Sequence, residues 1–168
     1  MRPLPAFRRA TRGTVFTAGD NAYPDGAAAE LACYDRSWGG FKHRTYPSPG
    51  NHEYQSDGAA PYFAYFGARA GPAGRGYYSY DLGGWHVVAL NSERDLDAEA
   101  GWLAADLAAH PAACTLAYWH KPLVTSGSEQ CSALSASSPP PSRYRSPTAA
   151  ARSRSCRRAP RTPRARTP

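Results

Sequence analysis

The sequence lacks the features that mark several common classes of protein. Its four cysteines include no C-x-x-C pair, so their spacing indicates neither a zinc knuckle nor a disulfide framework. No apolar run approaches the roughly 18 residues of a membrane span. The basic start, residues 1–13, is not followed by the apolar segment of a signal peptide. The sequence therefore predicts no membrane partner and leaves the localisation unknown.

Cysteine usage leaves two alternatives open within residues 1–125. A bridge between Cys33 and Cys114 is one of them, and a buried free thiol is the other.

Excess basic charge is absent from most of the chain and concentrated at its end. Residues 1–125 have a net charge of −1, whereas residues 126–168 carry nine arginines and one acidic residue. Beyond Leu134 this segment has one aromatic residue, Tyr144, and no Val, Ile, Leu, Phe or Met. It cannot bury enough apolar surface to offset the entropy lost on ordering. We therefore expect a domain at 1–125 and a disordered Ser/Pro/Arg-rich tail at 126–168. The abrupt change in composition is typical of a GC-rich gene translated out of frame.

The arginines of the tail also fit nucleic-acid binding, because arginine neutralises phosphates. The tail lacks the interleaved aromatic residues typical of a single-strand binder. The favoured interpretation is a solvated tail, and the alternative is a tail that binds nucleic acid. The sequence gives no indication of the oligomeric state.

Three regions of the first 125 residues have strand character. Residues 13–20 and 114–120 are runs of β-branched, aromatic and apolar residues, and the second is expected to be a buried strand. Two further runs flank Gly83-Gly84 and predict a hairpin.

Two segments between these strands predict helices, which makes the fold class α/β. Residues 25–38 are rich in alanine. In residues 95–110, Leu96, Leu103 and Leu107 share one face, and Asp95 or Asp97 can cap the start.

Polar residues of metal-ligating type stand where four strands or loops end. They are Asp20, Asn51 with His52, Asn91 and His120. Sites in α/β proteins form at the carboxyl ends of strands, so we expect these side chains to converge on one crevice. A carboxylate, an amide oxygen and an imidazole together suit Mn, Fe or Zn better than Ca.

Three blocks that contain these residues resemble the calcineurin-like metallophosphoesterase superfamily. They are "GDNAY" at 19–23, "GNHE" at 50–53 and "AYWH" at 117–120, in that order. With its tyrosine, the first block resembles the corresponding block of the purple acid phosphatase-like branch. Members of this branch are commonly exported. The resemblance implies a sandwich of mixed β-sheets flanked by helices. It also implies hydrolysis of phosphate esters at a centre of two metal ions, drawn from Fe, Zn and Mn.

The resemblance also implies a role for each site residue. Asp20 would bridge two metal ions, and Tyr23 would bind the first of them as a phenolate. Asn51 and His120 would bind the second. His52 would not be a ligand, but would stabilise the phosphate and protonate the leaving oxygen. Such a proton transfer suits a histidine, because its pKa lies near neutrality.

Two blocks of the family pattern have no counterpart in this chain. No Asp precedes residue 13 and no His follows His120, so one Asp ligand and two His ligands are missing. The first metal would keep Asp20 and Tyr23, and the second would keep Asp20, Asn51 and His120. We therefore expect a truncated start and an incomplete phosphoesterase. A non-catalytic remnant of the same fold is the alternative.

The remaining polar and aromatic residues are assigned structural roles. Glu53 is expected to orient a neighbouring ligand, and Asn91 is a further candidate for that role. We interpret His43, His86 and His110 as ordinary, with His86 pointing opposite to Val87. The aromatic residues at 62–67 and 77–80 are expected to pack in the core and on the sheet.

Overall fold

The strands of the computed structural model form two sheets. The structure describes residues 12–72 and 74–122, and the tail predicted at 126–168 lies outside them. The strands are β1 (Val15–Ala18), β2 (Thr45–Ser48), β3 (Tyr78–Leu82), β4 (Trp85–Ala89) and β5 (Cys114–Tyr118). In the first sheet β1 runs parallel to β2, with Val15 opposite Thr45. In the second, β3 pairs antiparallel with β4, and β4 pairs parallel with β5.

Helices and short 3₁₀ turns connect the strands, so the fold class is α/β as predicted. The helices are α1 (Ala28–Trp38), α2 (Ala60–Phe66) and α3 (Leu96–Ala109). The 3₁₀ turns are Gly39–Arg44, Glu53–Gln55, Asp57–Ala59 and Gly67–Ala70. Within the described ranges, no helix combines the length and apolar character needed to cross a membrane.

Aromatic residues join the two sheets. The rings of Tyr46 on β2 and Tyr80 on β3 stack with their centroids 3.8 Å apart. Phe16 on β1 contacts Tyr118 on β5 at 4.9 Å. The Tyr118 hydroxyl also donates a hydrogen bond to the Tyr46 carbonyl at 3.0 Å. These contacts hold the first sheet against the second, and so fix where their strand ends lie.

A second apolar cluster lies between α1 and α2. Leu31, Tyr62 and Phe66 are almost fully buried there, together with Ala59. The prediction that the aromatic residues at 62–67 pack in the core is confirmed for Tyr62 and Phe66. Neither α2 nor β2 was predicted from the sequence.

The unpredicted strand β2 contains Pro47. Proline has no N–H to donate to a neighbouring strand, which confines it to the edge of a sheet. In the part of the chain that the structure describes, β2 pairs with β1 alone, so Pro47 is compatible with its position.

The helix predicted at 95–110 is confirmed as α3, but the predicted apolar face is wrong. Leu96 and Leu107 are 60% and 41% exposed, whereas Glu99 and Asp106 are buried. These two carboxylates face a backbone N–H and a strand histidine, and Trp102 between them packs on Tyr77 at 4.9 Å, so the inner face of α3 is partly polar. Asp95 occupies the N-cap position, and its side chain makes no capping hydrogen bond.

The strand predicted at 114–120 is confirmed as β5, but it is not buried as expected. Leu116 at its centre is 39% exposed, and Tyr118 is its one buried residue. Among the described strands β5 pairs with β4 alone, so one of its edges has no neighbouring strand there.

Neither of the two alternatives for the cysteines is correct. Cys33 is a free thiol, but it is exposed rather than buried. Cys114 is therefore not bonded to Cys33.

We predict that Glu99→Gln makes the free energy of unfolding less sensitive to pH. Burial raises the pKa of Glu99 from 4.5 to about 7, against the opposing hydrogen bond from the Asn91 N–H. A raised pKa means that the folded state binds more protons than the unfolded state between these values. The free energy of unfolding therefore falls as pH rises from about 4.5 to about 7. Glutamine keeps the acceptor oxygen without the charge, and should gain about 1–3 kcal/mol over the wild type between pH 5 and pH 8.

Urea unfolding at several pH values measures this difference. Asp97→Asn, which removes an exposed carboxylate from the same helix, is the matched control. Parallel stability profiles for the wild type and Glu99→Gln would contradict the prediction.

Candidate functional site

Three residues predicted as metal ligands meet where β1, β2 and β5 end. Asp20 follows β1, Asn51 follows β2, and His120 follows β5. Because β1 and β2 are parallel, Asp20 and Asn51 leave the first sheet at the same edge. His120 Nε2 lies 3.1 Å from Asn51 Oδ1 and 3.3 Å from Asp20 Oδ2.

The orientation of His120 leaves one ring nitrogen directed at oxygen atoms. Its Nδ1 lies 2.8 Å from the carbonyl oxygen of Ala18, so an Nδ1–H can donate there. In the neutral ring Nε2 then carries a lone pair, and it faces the oxygens of Asn51 and Asp20. Three electron-pair donors so close together repel one another unless a proton or a cation lies among them. This arrangement is that of a metal-ligating histidine held by a backbone carbonyl.

Tyr23 lies on the other side of the Asp20 carboxylate. Its hydroxyl donates a hydrogen bond of 2.6 Å to Asp20 Oδ2, the oxygen that also faces His120. This hydrogen bond raises the pKa of the Tyr23 phenol, with smaller contributions from burial and from the negative charges of Asp20 and Glu53. Asp20 Oδ2 is therefore shared between the two sides of the cluster.

His52 stands beside the ligand cluster, with its ring 4.2 Å from that of Tyr23. Its Nδ1 contacts the carbonyl oxygen of Pro24. The side-chain nitrogen of Gln55 lies 3.3 Å from His52 Nδ1. The Nε2 of His52 faces Asp20 Oδ2 at 3.8 Å. His52 is thus held through one nitrogen and presents the other to the site.

A buried carboxylate joins the two loops that carry these side chains. Glu53 is fully buried and accepts hydrogen bonds from the backbone N–H groups of Asp20, Ala22 and Gly50, at 3.0, 3.0 and 2.7 Å. Burial raises its pKa, and the N–H donors oppose that rise. The expectation that Glu53 orients a neighbouring residue is met, since it holds the backbone of Asp20.

Two glycines allow the loops to approach one another. A Cβ on Gly50 would collide with Asp20 Oδ1 and would lie 2.5 Å from the Asp20 backbone nitrogen. Gly19 has φ +85°, and a Cβ there would lie 2.5 Å from the His120 ring. The glycines of the first two sequence blocks, Gly19 and Gly50, are therefore needed for space beside a site residue.

A cleft borders the Asp20 and Tyr23 side of the cluster. Its volume is about 490 Å³. It is lined by the outer edge of β1, the loop after β1 and one face of α1: Val15, Phe16, Thr17, Gly19, Asp20, Asn21, Ala22, Tyr23, Glu30, Cys33, Tyr34, Ser37 and Trp38. The site is therefore open to molecules from outside.

Asn91, the fourth polar strand-end residue, is directed elsewhere. Its side-chain nitrogen donates to the Tyr54 hydroxyl at 2.7 Å and to the Arg75 carbonyl at 2.8 Å. Its side-chain oxygen accepts from the Glu93 N–H at 3.1 Å. Asn91 thus organises the loop after β4 rather than orienting a ligand.

A second cluster was missed by the sequence analysis. His86 and His110, interpreted there as ordinary, meet at Asp106, and all three could hold a metal ion. His86 does point opposite to Val87 as predicted, because Val87 packs in the apolar layer with Tyr118. One signal was present, since Asp106 and His110 lie four residues apart on a predicted helix. The strand histidine could not be assigned to them without the packing of α3.

Comparison of the chain with protein-family models, with curated proteins and with solved structures gave no match. The metallophosphoesterase resemblance therefore rests on three sequence blocks and on the proximity of their polar residues.

Proposed function

We propose that this chain is a metal-dependent phosphoesterase of the calcineurin-like superfamily, built on part of its sandwich. The observation that carries the proposal is the convergence of Asp20 Oδ2, Asn51 Oδ1 and His120 Nε2. The last atom lies 3.1 and 3.3 Å from the other two. When the His120 Nδ1–H is directed at Ala18, His120 Nε2 presents a lone pair to Asn51 Oδ1 and Asp20 Oδ2, and the Tyr23 hydroxyl donates to that Asp20 oxygen from the other side. A cation would relieve their repulsion, and this donor set suits Zn, Fe or Mn.

The residues fit one metal ion better than two. Asp20, Asn51 and His120 would hold one ion. The second would have Asp20 and Tyr23 as ligands from the described residues, and the Tyr23 hydroxyl would have to give up its proton to bind. Bound ions of this kind supply an activated water and stabilise the charge of the phosphoryl oxygens.

The other residues of the site would bind and orient the ester. In its protonated form, His52 would present an Nε2–H to the leaving oxygen while its Nδ1–H stays on the Pro24 carbonyl. Glu53 would hold the backbones of Asp20 and Gly50 at a fixed separation by accepting hydrogen bonds from their N–H groups. The cleft beside Tyr23 would accommodate the organic part of the ester.

The alternative is a non-catalytic remnant of the same fold. It is favoured by the missing Asp and His blocks and by the small ligand set of the second ion. Such a remnant would bind one metal ion and show no turnover, so the measurements below separate it from an enzyme.

We predict that His52→Ala lowers kcat by about 100- to 10,000-fold for an alkyl phosphate, the usual range for a general acid. The loss should be much smaller for p-nitrophenyl phosphate, because its leaving group needs little protonation. Metal content should not change, since His52 is not a ligand. Steady-state assays with added Mn, Fe or Zn, together with metal analysis, measure all three quantities.

The exposed His43→Ala is the matched control and should retain wild-type rates. Equal losses for both esters would refute the role of His52 as proton donor. Wild-type turnover no higher than that of His52→Ala on either ester would instead support the remnant.

We predict that Gly50→Ala weakens metal binding at least about tenfold, the scale seen when a residue that orients a ligand is lost. The added Cβ would push against the Asp20 carboxylate and backbone. Gly101→Ala is the matched control, because a Cβ at Gly101 meets nothing within 4 Å.

Titration with a competing chromophoric chelator gives the affinity of each variant. Circular dichroism checks that both are folded. Folded Gly50→Ala protein with wild-type affinity would rule out a metal site at Asp20.

A further inference from the structure

A compact cluster of ligand-type side chains lies between α3 and the second sheet, apart from Asp20. His86 on β4 is 1% exposed, and its Nε2 lies 2.7 Å from Asp106 Oδ2 on α3. His110, just past the end of α3, lies beside the same carboxylate, with Nδ1 3.3 Å from Asp106 Oδ1. The two imidazole rings stack with centroids 4.8 Å apart and an interplanar angle of 12°.

The spacing of these atoms matches a metal site. One ligand atom from each of His86, Asp106 and His110 lies within 4.8 Å of the others. Ligands about 2.0–2.1 Å from a tetrahedral zinc ion lie roughly 3.3 Å from each other. His110 Nδ1 also lies 2.9 Å from the Asp106 backbone carbonyl oxygen. A rotation of the half-exposed His110 ring that gives up this contact would complete three of the four positions and leave the fourth to water.

The outer contacts of the cluster are also those of a metal site. Asp81 lies directly opposite His86 in the sheet, and its carboxylate is 2.9 Å from His86 Nδ1. A carboxylate at Nδ1 fixes the orientation of the imidazole ring and makes Nε2 a better metal ligand. Ser79 donates a hydrogen bond of 2.7 Å to Asp106 Oδ1 and so orients the shared carboxylate.

An ion can reach the cluster from solvent. The His110 side chain is 49% exposed and the Asp81 side chain is 75% exposed, whereas His86 and Asp106 form the buried floor. A site with a buried floor and an exposed ligand has an entry path for an ion.

We propose that His86, Asp106 and His110 form a second, independent binding site for a divalent transition metal ion, with Zn²⁺ as the first candidate. Two imidazoles and one carboxylate are a ligand set that zinc uses in proteins. The site ties the end of α3 to β4, so the bound ion stabilises the fold rather than acting on the phosphate ester.

The test is Zn²⁺ titration of the full chain against a competing chelator, with thermal unfolding in parallel. His110→Ala should bind one equivalent fewer than the wild type, and Zn²⁺ should raise its Tm less. His43→Ala, another exposed histidine, should keep the wild-type stoichiometry and Tm shift. Asp81→Asn should keep the stoichiometry and bind about 10- to 100-fold more weakly, as expected for loss of an orienting carboxylate.

Two outcomes would overturn the proposal. One is unchanged stoichiometry in His110→Ala, and the other is an equal loss in His43→Ala. The first would leave His86, Asp106 and Asp81 as a hydrogen-bonded network only. Substituting His120 by Ala removes a ligand of the phosphoesterase site, so the deficits of His110→Ala and His120→Ala should add. The proposal holds even if His120→Ala has no effect on metal binding.

Discussion

The buried carboxylate of Glu53 accepts N–H groups from both loops of the candidate site, at Asp20, Ala22 and Gly50. These loops follow different strands, and they are also joined by hydrogen bonds from the His52 N–H to Asp20 Oδ1 and from Asn21 Nδ2 to the Ser48 carbonyl. Because an unpaired buried carboxylate is costly, the loops and Glu53 stabilise one another. The same residue therefore sets the position of Asp20, on which Tyr23 and the two site histidines converge.

The strands supply the other half of this geometry. Parallel pairing of β1 and β2 places two loops at one edge, and the contact of Phe16 with Tyr118 brings β5 alongside. His120 then reaches Asp20 across 100 residues of sequence. Glycine completes the approach, because a Cβ at Gly19 or Gly50 would occupy space that His120 and Asp20 fill.

The second sheet has polar residues in two separate places, one at the end of β5 and one on the face of β4 that packs against α3. At the end of β5, His120 faces the loops of the candidate phosphoesterase site. In the middle of β4, Val87 packs with Tyr118 and with Tyr78 and Tyr80 of the same sheet, whereas His86 faces α3. The polar inner side of α3 is compatible with this sheet because Asp106 pairs with His86 and Glu99 accepts the Asn91 N–H. Two carboxylates and the contact of Trp102 with Tyr77 hold α3 in place, rather than Leu96 and Leu107.

The sequence by itself determined four of the five described strands, two of the three described helices and the convergence of Asp20, Asn51, His52 and His120. Local patterns suffice for these elements, and the rule that polar strand ends meet at one sheet edge holds for these four residues but not for Asn91. Tertiary structure decided the rest. Pro47 could be part of a strand because that strand is at an edge, and the leucines of α3 could be exposed because its carboxylates found partners. The meeting of His86 with Asp106 and His110 likewise depends on which face of α3 packs on β4, and the spacing of residues along the chain does not contain that information.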